Sequence, residues 1–175
     1  MDIEIRDYDP CWPAAAAAAA AELRQAVPGL FTELEHIGST AVPGLAAKPV
    51  IDLMGAVPAL ADVTDREPAL VALGYRRMDT PMPGRLFYPR DQDGRRAHHL
   101  HVVLADTWAT RNERLLRDYL RGHPADARRY GTLKRHLAGR AGDPAEYTRA
   151  KTALIQVLTD RARAARGLPS VPVWE

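Results

Sequence analysis

The alternation of apolar and polar positions divides the chain into a sheet-forming front and a helical back. Ile3 and Ile5 alternate with Glu4 and Arg6 and predict a short strand ahead of the turn-rich stretch Asp7 to Pro13. Pro13 suits the first position of a helix, and the alanines at 14–21, followed by Glu22, Leu23 and Arg24, carry that helix to the stop at Pro28-Gly29. Phe31 to Ile37 and Val50 to Val57 read as strands, joined by a loop or short helix containing Pro43, Gly44 and Pro49. Residues 58–73 predict a helix interrupted near Pro68 and closed by Gly74. Three further strands are expected at Tyr75 to Met78, Arg85 to Pro89 and Ala97 to Leu104, separated by turns at Pro81 to Gly84 and Asp91 to Gly94.

From Asp106 the period becomes helical. Trp108, Leu115, Leu116, Tyr119 and Leu120 fall near one stripe, and Gly122-His123-Pro124 stops one helix and starts the next, which runs to Leu137. A third helix is expected from an Asp143 N-cap, with Pro144 in its first turn and Glu146 three positions after the cap, to about Arg166. Strands followed by a run of helices define an α+β class. No composition break divides the chain, so 1–175 is expected to be one domain with a sheet-containing part, 1–105, and a helical part, 106–167.

Composition narrows the function classes. With 175 residues, 46% of them hydrophobic, and a net charge of +2, the chain can bury a core and is not of the disordered type. No apolar run is long enough to span a bilayer, and the N-terminus lacks a secretory pattern, so the cytoplasm is expected and no membrane partner is. Cys11 is the only cysteine, which excludes an intrachain disulfide and a multi-cysteine zinc cluster. Charge is unevenly placed: residues 111–166 carry 14 basic and 6 acidic side chains, residues 1–110 carry 10 and 15. A basic arm can serve a phosphate-rich or protein partner. An arginine-rich solvated helical face explains the same charge, and the absence of interleaved aromatics argues against a nucleic-acid tracking surface.

The chemistry concentrates in Glu35-His36-Ile37-Gly38-Ser39-Thr40 and the following stretch to Asp52-Leu53. A glycine at a strand end lets a phosphate approach the backbone, and the hydroxyls of Ser39 and Thr40 with nearby N–H groups can cradle it. Lys48 adds a compact positive charge, and Asp52, between Ile51 and Leu53, can hold a divalent cation that bridges to phosphates. His99 and His101 alternate along a strand and so project to one face, where with Asp52 they can form a two-histidine, one-carboxylate ligand set. Such imidazoles favour zinc, iron, nickel or manganese over magnesium. Histidines on a solvated face or hydrogen-bonded in a cleft account for the pair equally well. Arg85 and Arg96 are second-rank candidates for phosphate oxygens.

The stretch His36 to Leu53, together with Tyr8, Trp12, His99-Leu100-His101 and Tyr119-Leu120-Arg121-Gly122-His123-Pro124, resembles the GrpB family. The resemblance implies a nucleotidyltransferase-like fold of polymerase-beta type: a mixed sheet with helices, then a C-terminal helical block. It implies Gly38-Ser39 at the phosphate end and Asp52 as a metal ligand, and a similar domain is joined to dephospho-coenzyme A kinase in some bacteria. The chain departs from the polymerase-beta pattern in carrying one carboxylate where two are expected, with Val50 and Met54 at the flanking positions. Two-metal phosphoryl transfer needs paired ions, which a single aspartate is poorly equipped to hold.

Two readings therefore stand together. One is a metal-dependent enzyme acting on a nucleoside triphosphate or related phosphorylated small molecule. Its catalytic residues would be Asp52 and Lys48, its phosphate-binding residues Gly38, Ser39, Thr40, Lys48 and Arg85, and its ligands to Mg²⁺, Mn²⁺, Zn²⁺ or Ni²⁺ Asp52, His99 and His101. The other is a non-catalytic module that binds a nucleotide or coenzyme A precursor, or an accessory partner of another enzyme working through the basic helical block.

Overall fold

Pro13 and the alanine run form α1, Trp12–Ala26, whose buried positions Trp12, Ala16, Ala19 and Leu23 recur at helical spacing along one stripe. The computed structural model describes residues 4–138 and 144–173. They group into two compact units: Cys11–Ile37 with Val50–Arg111, and the described residues of 1–10, Gly38–Pro49 and 112–175.

The first unit is built on a four-stranded sheet of β1 (Glu33–Ile37), β2 (Ile51–Val57), β3 (Arg85–Gln92) and β4 (Arg95–Leu104). The strand order is β1-β2-β4-β3, with β2 and β4 parallel and the two outer pairs antiparallel, so the sheet is mixed and the α+β class holds. β3 and β4 are joined by Asp93-Gly94, both at positive φ, the geometry of a tight hairpin turn. Between β2 and β3 lie the short helices α2 (Ala61–Thr64) and α3 (Glu67–Ala72).

Side chains alternate between the two faces of the sheet. On one, Leu53, Leu100 and Val102 are buried, and the ring of Phe31 lies over Gly55, where a β-carbon would stand 2.5 Å from the ring. From this face Arg90 reaches Glu22 of α1 at 2.8 Å, its guanidinium lying 3.1 Å from both ring nitrogens of His98 and 4.8 Å from the centre of the Tyr75 ring. Burial, and then the charge of Arg90, push His98 down to about 4. On the opposite face Ile37, Met54 and Val103 form a small core under Trp108.

In the second unit α4 (Asn112–Gly122), α5 (Pro124–Ala138) and α6 (Pro144–Ala164) pack with the 38–49 segment around Val42, Leu45, Tyr130 and Leu158. Gly131 of α5 permits the close approach of this segment, since a β-carbon there would stand 3.4 Å from Leu45. Tyr119 and His123 stack with ring centres 3.9 Å apart, and the His123 ring nitrogen lies 2.7 Å from the Tyr119 carbonyl at the end of α4. The Tyr119 hydroxyl donates to Asp126 in the first turn of α5, and Arg161 of α6 pairs with the same carboxylate. Tyr119, Gly122, His123 and Pro124 thus build a helical hairpin and its tie to α6.

Several expectations need correction. Tyr75 to Met78 forms no strand but two isolated bridges, to Arg90 and Phe87. The helical interruption expected near Pro68 falls before it, because proline is tolerated in the first turn of α3. Trp108 leaves the stripe of α4: it lies in a 3₁₀ segment, Ala105–Thr110, and covers Met54. The strand expected where Ile3 and Ile5 alternate with Glu4 and Arg6 begins on a residue outside the described ones, as the Asp143 cap does; of its described residues, Arg6 bridges Ala47. Among the described residues no helix is long and apolar enough to cross a membrane.

Two stability predictions follow from this packing. Gly55→Ala should lower unfolding free energy by about 1–3 kcal/mol in urea titrations, because the added methyl must displace the Phe31 ring. The Tyr119 hydrogen bond, seconded by Arg161, holds the Asp126 carboxyl below the usual carboxylate range despite opposing burial. A carboxyl depressed in the folded state contributes stability above its unfolded pKa and loses it as pH falls through the folded one. The destabilisation caused by Tyr119→Phe should therefore be largest at neutral pH and shrink progressively below the ordinary carboxylate range.

Candidate metal centre

Registration of β2 with β4 places Asp52 opposite His99 and Met54 opposite His101, so Asp52, His99 and His101 share one sheet face. The Nδ1 of His99 lies 2.8 Å from Asp52 Oδ1, and the Nε2 of His101 lies 4.0 Å from the same oxygen. One ligating atom from each residue falls within 4.8 Å of the others, and each side chain keeps a fifth to a quarter of its surface open to solvent. Ligands on bonds of about 2.1 Å to a common ion stand about 3–4 Å apart, so these atoms would draw together by several tenths of an ångström on binding one. The same Asp52–His99 pair makes either a hydrogen bond or, with its proton replaced by a cation, one edge of a coordination shell.

Burial alone would raise the Asp52 carboxyl. The hydrogen bond from His99, and after it the influence of the His99, His101 and His36 rings, outweigh it and hold the group below the ordinary carboxylate value. An ionised, acceptor-only carboxylate beside two imidazoles is a donor set suited to a divalent cation of borderline softness.

β3 completes the surroundings. Phe87, opposite His101, sets its ring 5.0 Å from that of His101 and 5.1 Å from that of His99, holding the two imidazoles from one side. Two strand steps away, Arg85 is buried and its Nη1 lies 3.3 Å from His101 Nδ1. Phe87 was not legible as part of the site, because nothing in its local sequence reports the β3–β4 register; Arg85 was, through its place on a predicted strand.

Met54 accounts for the missing second carboxylate. It projects to the same face as Asp52, yet it is fully buried beneath Trp108 with Ile37 and Val103. The position is part of the core, and an ionised side chain there would lack solvent. Val50 stands before β2 begins.

Gly38, Ser39, Thr40 and Lys48 lie in the second unit. Ser39 and Thr40 occupy a single 3₁₀ turn, Ser39–Ala41, entered through Gly38 at φ 72°. Thr40 is buried, whereas Gly38 and Ser39 are half-buried. The Nζ of Lys48 lies 4.7 Å from the centre of the Tyr147 ring. Arg96 pairs with Asp91 at the exposed end of the β3–β4 hairpin, away from the histidines.

The mixed sheet and the helices after it are a nucleotidyltransferase-like fold of polymerase-beta type. The chain is similar in structure to the Cid1 poly(U) polymerase with Mg 3′-dATP bound, with a TM-score of 0.56 and 17% identity over 85% of this chain and 50% of that one. It belongs to the GrpB family: residues 2–161 match the family described as GrpB protein. A crystal structure of the conserved protein GrpB from Enterococcus faecalis superposes with a TM-score of 0.86 and 32% identity, covering 94% of this chain and 99% of that one. A UPF0157 protein of Pseudomonas aeruginosa is 39% identical over 97% of this chain and 71% of its own. A dephospho-CoA kinase of Mycolicibacterium paratuberculosis is 39% identical over 41% of this chain, which corresponds to 18% of the kinase.

The core position of residue 54 can be tested by substitution. Met54→Asp should destabilise the protein by on the order of 3 kcal/mol or more in denaturant titrations, and Met54→Leu by less than about 1.5 kcal/mol. An aspartate tolerated at position 54 would show that the second ligand position is open after all.

Proposed function

We propose that this GrpB protein is a metal-dependent, nucleotidyltransferase-like enzyme acting on a nucleoside triphosphate or a related phosphorylated small molecule. The observation that carries the reading is the convergence of Asp52, His99 and His101 on one face of a nucleotidyltransferase-like sheet. A divalent cation there would supply charge neutralisation and Lewis acidity to phosphate oxygens. Asp52, His99 and His101 would hold it, with Phe87 restricting the imidazoles. Gly38, Ser39 and Thr40 are proposed as the phosphate-binding turn and Lys48 as the charge that neutralises it, from the sequence pattern; Ser39 is half-buried where Thr40 is buried, which supports Ser39 as the hydroxyl that makes the contact. Arg85 is proposed as a further phosphate ligand. Positioning and electrostatics, without a covalent intermediate, would then carry the chemistry. We place this activity in the cytoplasm.

A second reading is favoured by one observation, the burial of Met54 where a second carboxylate would stand. On it the protein binds a nucleotide or coenzyme A precursor without turning it over, alone or as partner to another enzyme through its helical block. The similarity to a dephospho-CoA kinase makes the coenzyme A precursor the ligand to try first.

Thermal unfolding of chelator-treated protein, with and without Zn²⁺, Mn²⁺, Ni²⁺ or Mg²⁺ and nucleoside triphosphates or dephospho-coenzyme A, tests both. A ligand at 100 times its dissociation constant adds about 2.7 kcal/mol of stability. On the enzyme reading, stabilisation by nucleotide requires the metal, is lost in Asp52→Asn and His101→Ala, and is accompanied by product. Metal-independent stabilisation that both variants retain would overturn it and leave the binding module.

A further inference from the structure

The contact between Arg85 and His101 has a consequence for how the two residues can be used. A guanidinium has five N–H donors and no acceptor, so at 3.3 Å from His101 Nδ1 it can only donate. A hydrogen bond there requires the lone pair of His101 to be on Nδ1. A neutral imidazole has one lone pair and one N–H, so the N–H sits on Nε2, the atom 4.0 Å from Asp52 Oδ1. This arrangement cannot also ligate a cation. If Nδ1 were the ligand, the lone pair accepting from Arg85 would be taken; if Nε2 were, its proton would have to move to Nδ1, which would then face Arg85 with an N–H. A ring that did both would be an imidazolate.

Electrostatics points the same way. A divalent cation held by Asp52, His99 and His101 would place two further positive charges close to the buried guanidinium of Arg85, and Asp52 is the one carboxylate among those three ligands. An anion beside both cations would relieve that repulsion, and a phosphate offers the planar guanidinium a matched, bidentate partner.

We propose that Arg85 is a metal-gated phosphate-binding residue: it donates to His101 Nδ1 in the metal-free protein and exchanges that partner for a phosphate oxygen when Asp52, His99 and His101 hold a divalent cation. The inference rests on the metal reading given above. It orders binding, cation before phosphate, and makes the two ligands mutually reinforcing by linkage. It also gives the site a second positive group in place of the second ion that Met54 leaves without a ligand.

The test uses Zn²⁺ and inorganic triphosphate with the full chain, comparing wild type, Arg85→Gln and Arg85→Lys in identical solutions so that chelation outside the protein is common to all. Removing a competitor for His101 should tighten Zn²⁺ binding in Arg85→Gln by about 5-fold or more in calorimetric titrations. Losing a charge-assisted contact should weaken triphosphate binding to the zinc-loaded variant by about 10-fold or more, with Arg85→Lys in between. Imidazole ¹⁵N spectra of the wild type, which depend on no variant folding, should show His101 protonated on Nε2 without zinc and that pattern lost on loading. A His101 ring protonated on Nδ1 in the metal-free protein, or unchanged zinc and triphosphate affinities in a folded Arg85→Gln, would overturn the proposal while leaving the metal site standing. Failure of Zn²⁺ to bind the wild type, in turn, would overturn the metal reading and this proposal together.

Discussion

Asp52 stands opposite His99 because β2 and β4 run parallel in a fixed register, and most of what the sheet unit can do depends on that pairing. Side chains on a strand alternate, so a slip of one residue would turn His99 and His101 to the α1 side and bring His98 to Asp52. The slip is opposed from both faces. On the α1 side Leu53, Leu100 and Val102 are buried, and Arg90 is fixed by Glu22 of α1 while lying against His98. On the other side Met54 and Val103 are buried under Trp108. Residues with no chemistry of their own thus decide which histidines meet the carboxylate. His98, held neutral by burial, belongs to the framework; its neighbour His99 belongs to the site.

The same pairing explains what kind of metal chemistry the face can support. A pair of carboxylates two residues apart on β2 would need position 54 open to solvent, and the packing of Trp108 closes it. Replacing a carboxylate by apolar core removes a ligand and also lowers the polarity around the remaining one, which raises the cost of any charge not paired on the spot. The two imidazoles on β4 restore donors without adding negative charge. A site with one carboxylate and two neutral donors suits a single cation of the zinc or manganese kind better than a pair of magnesium ions, and on the proposed function phosphate charge would then fall to side chains such as Arg85.

Much of this was legible in the sequence because the signals were local. Short apolar runs bounded by turn residues marked β1, β2 and β4, the alanine run marked α1, and the spacing of His99 and His101 placed both on one face whatever the partner strand. What escaped was set by pairing over long separations. The register that brings Phe87 against both histidines and the turn that swings Trp108 from the helical stripe onto Met54 have no local signature. Tyr75 to Met78 misled for a related reason: its residues favour strand, but the backbone makes only two bridges to β3. Strand propensity describes a fit to a half-buried surface, and the neighbours must supply that surface.

The basic arm shows why composition alone is a weak guide to a partner. Its surplus of arginines over acids suggests an anionic ligand, yet the structure uses many of these guanidinium groups within the helical unit. Arg117 and Arg166 pair with Asp118, Arg161 with Asp126, and Arg135 with Asp7, while Arg163 reaches Asn112 and the Pro169 carbonyl. Three of the acids involved, Asp7, Asp118 and Asp126, lie in helices or segments distant in sequence from at least one of their partners, so these contacts tie the unit together. Their spread over three helices and the 163–173 tail is the distribution expected of cross-links, whereas a phosphate-tracking surface needs cations aligned along one solvated face. On the proposed function, the charge that would meet phosphate is better sought at Arg85, buried beside the histidine pair, than in the number of arginines that follow.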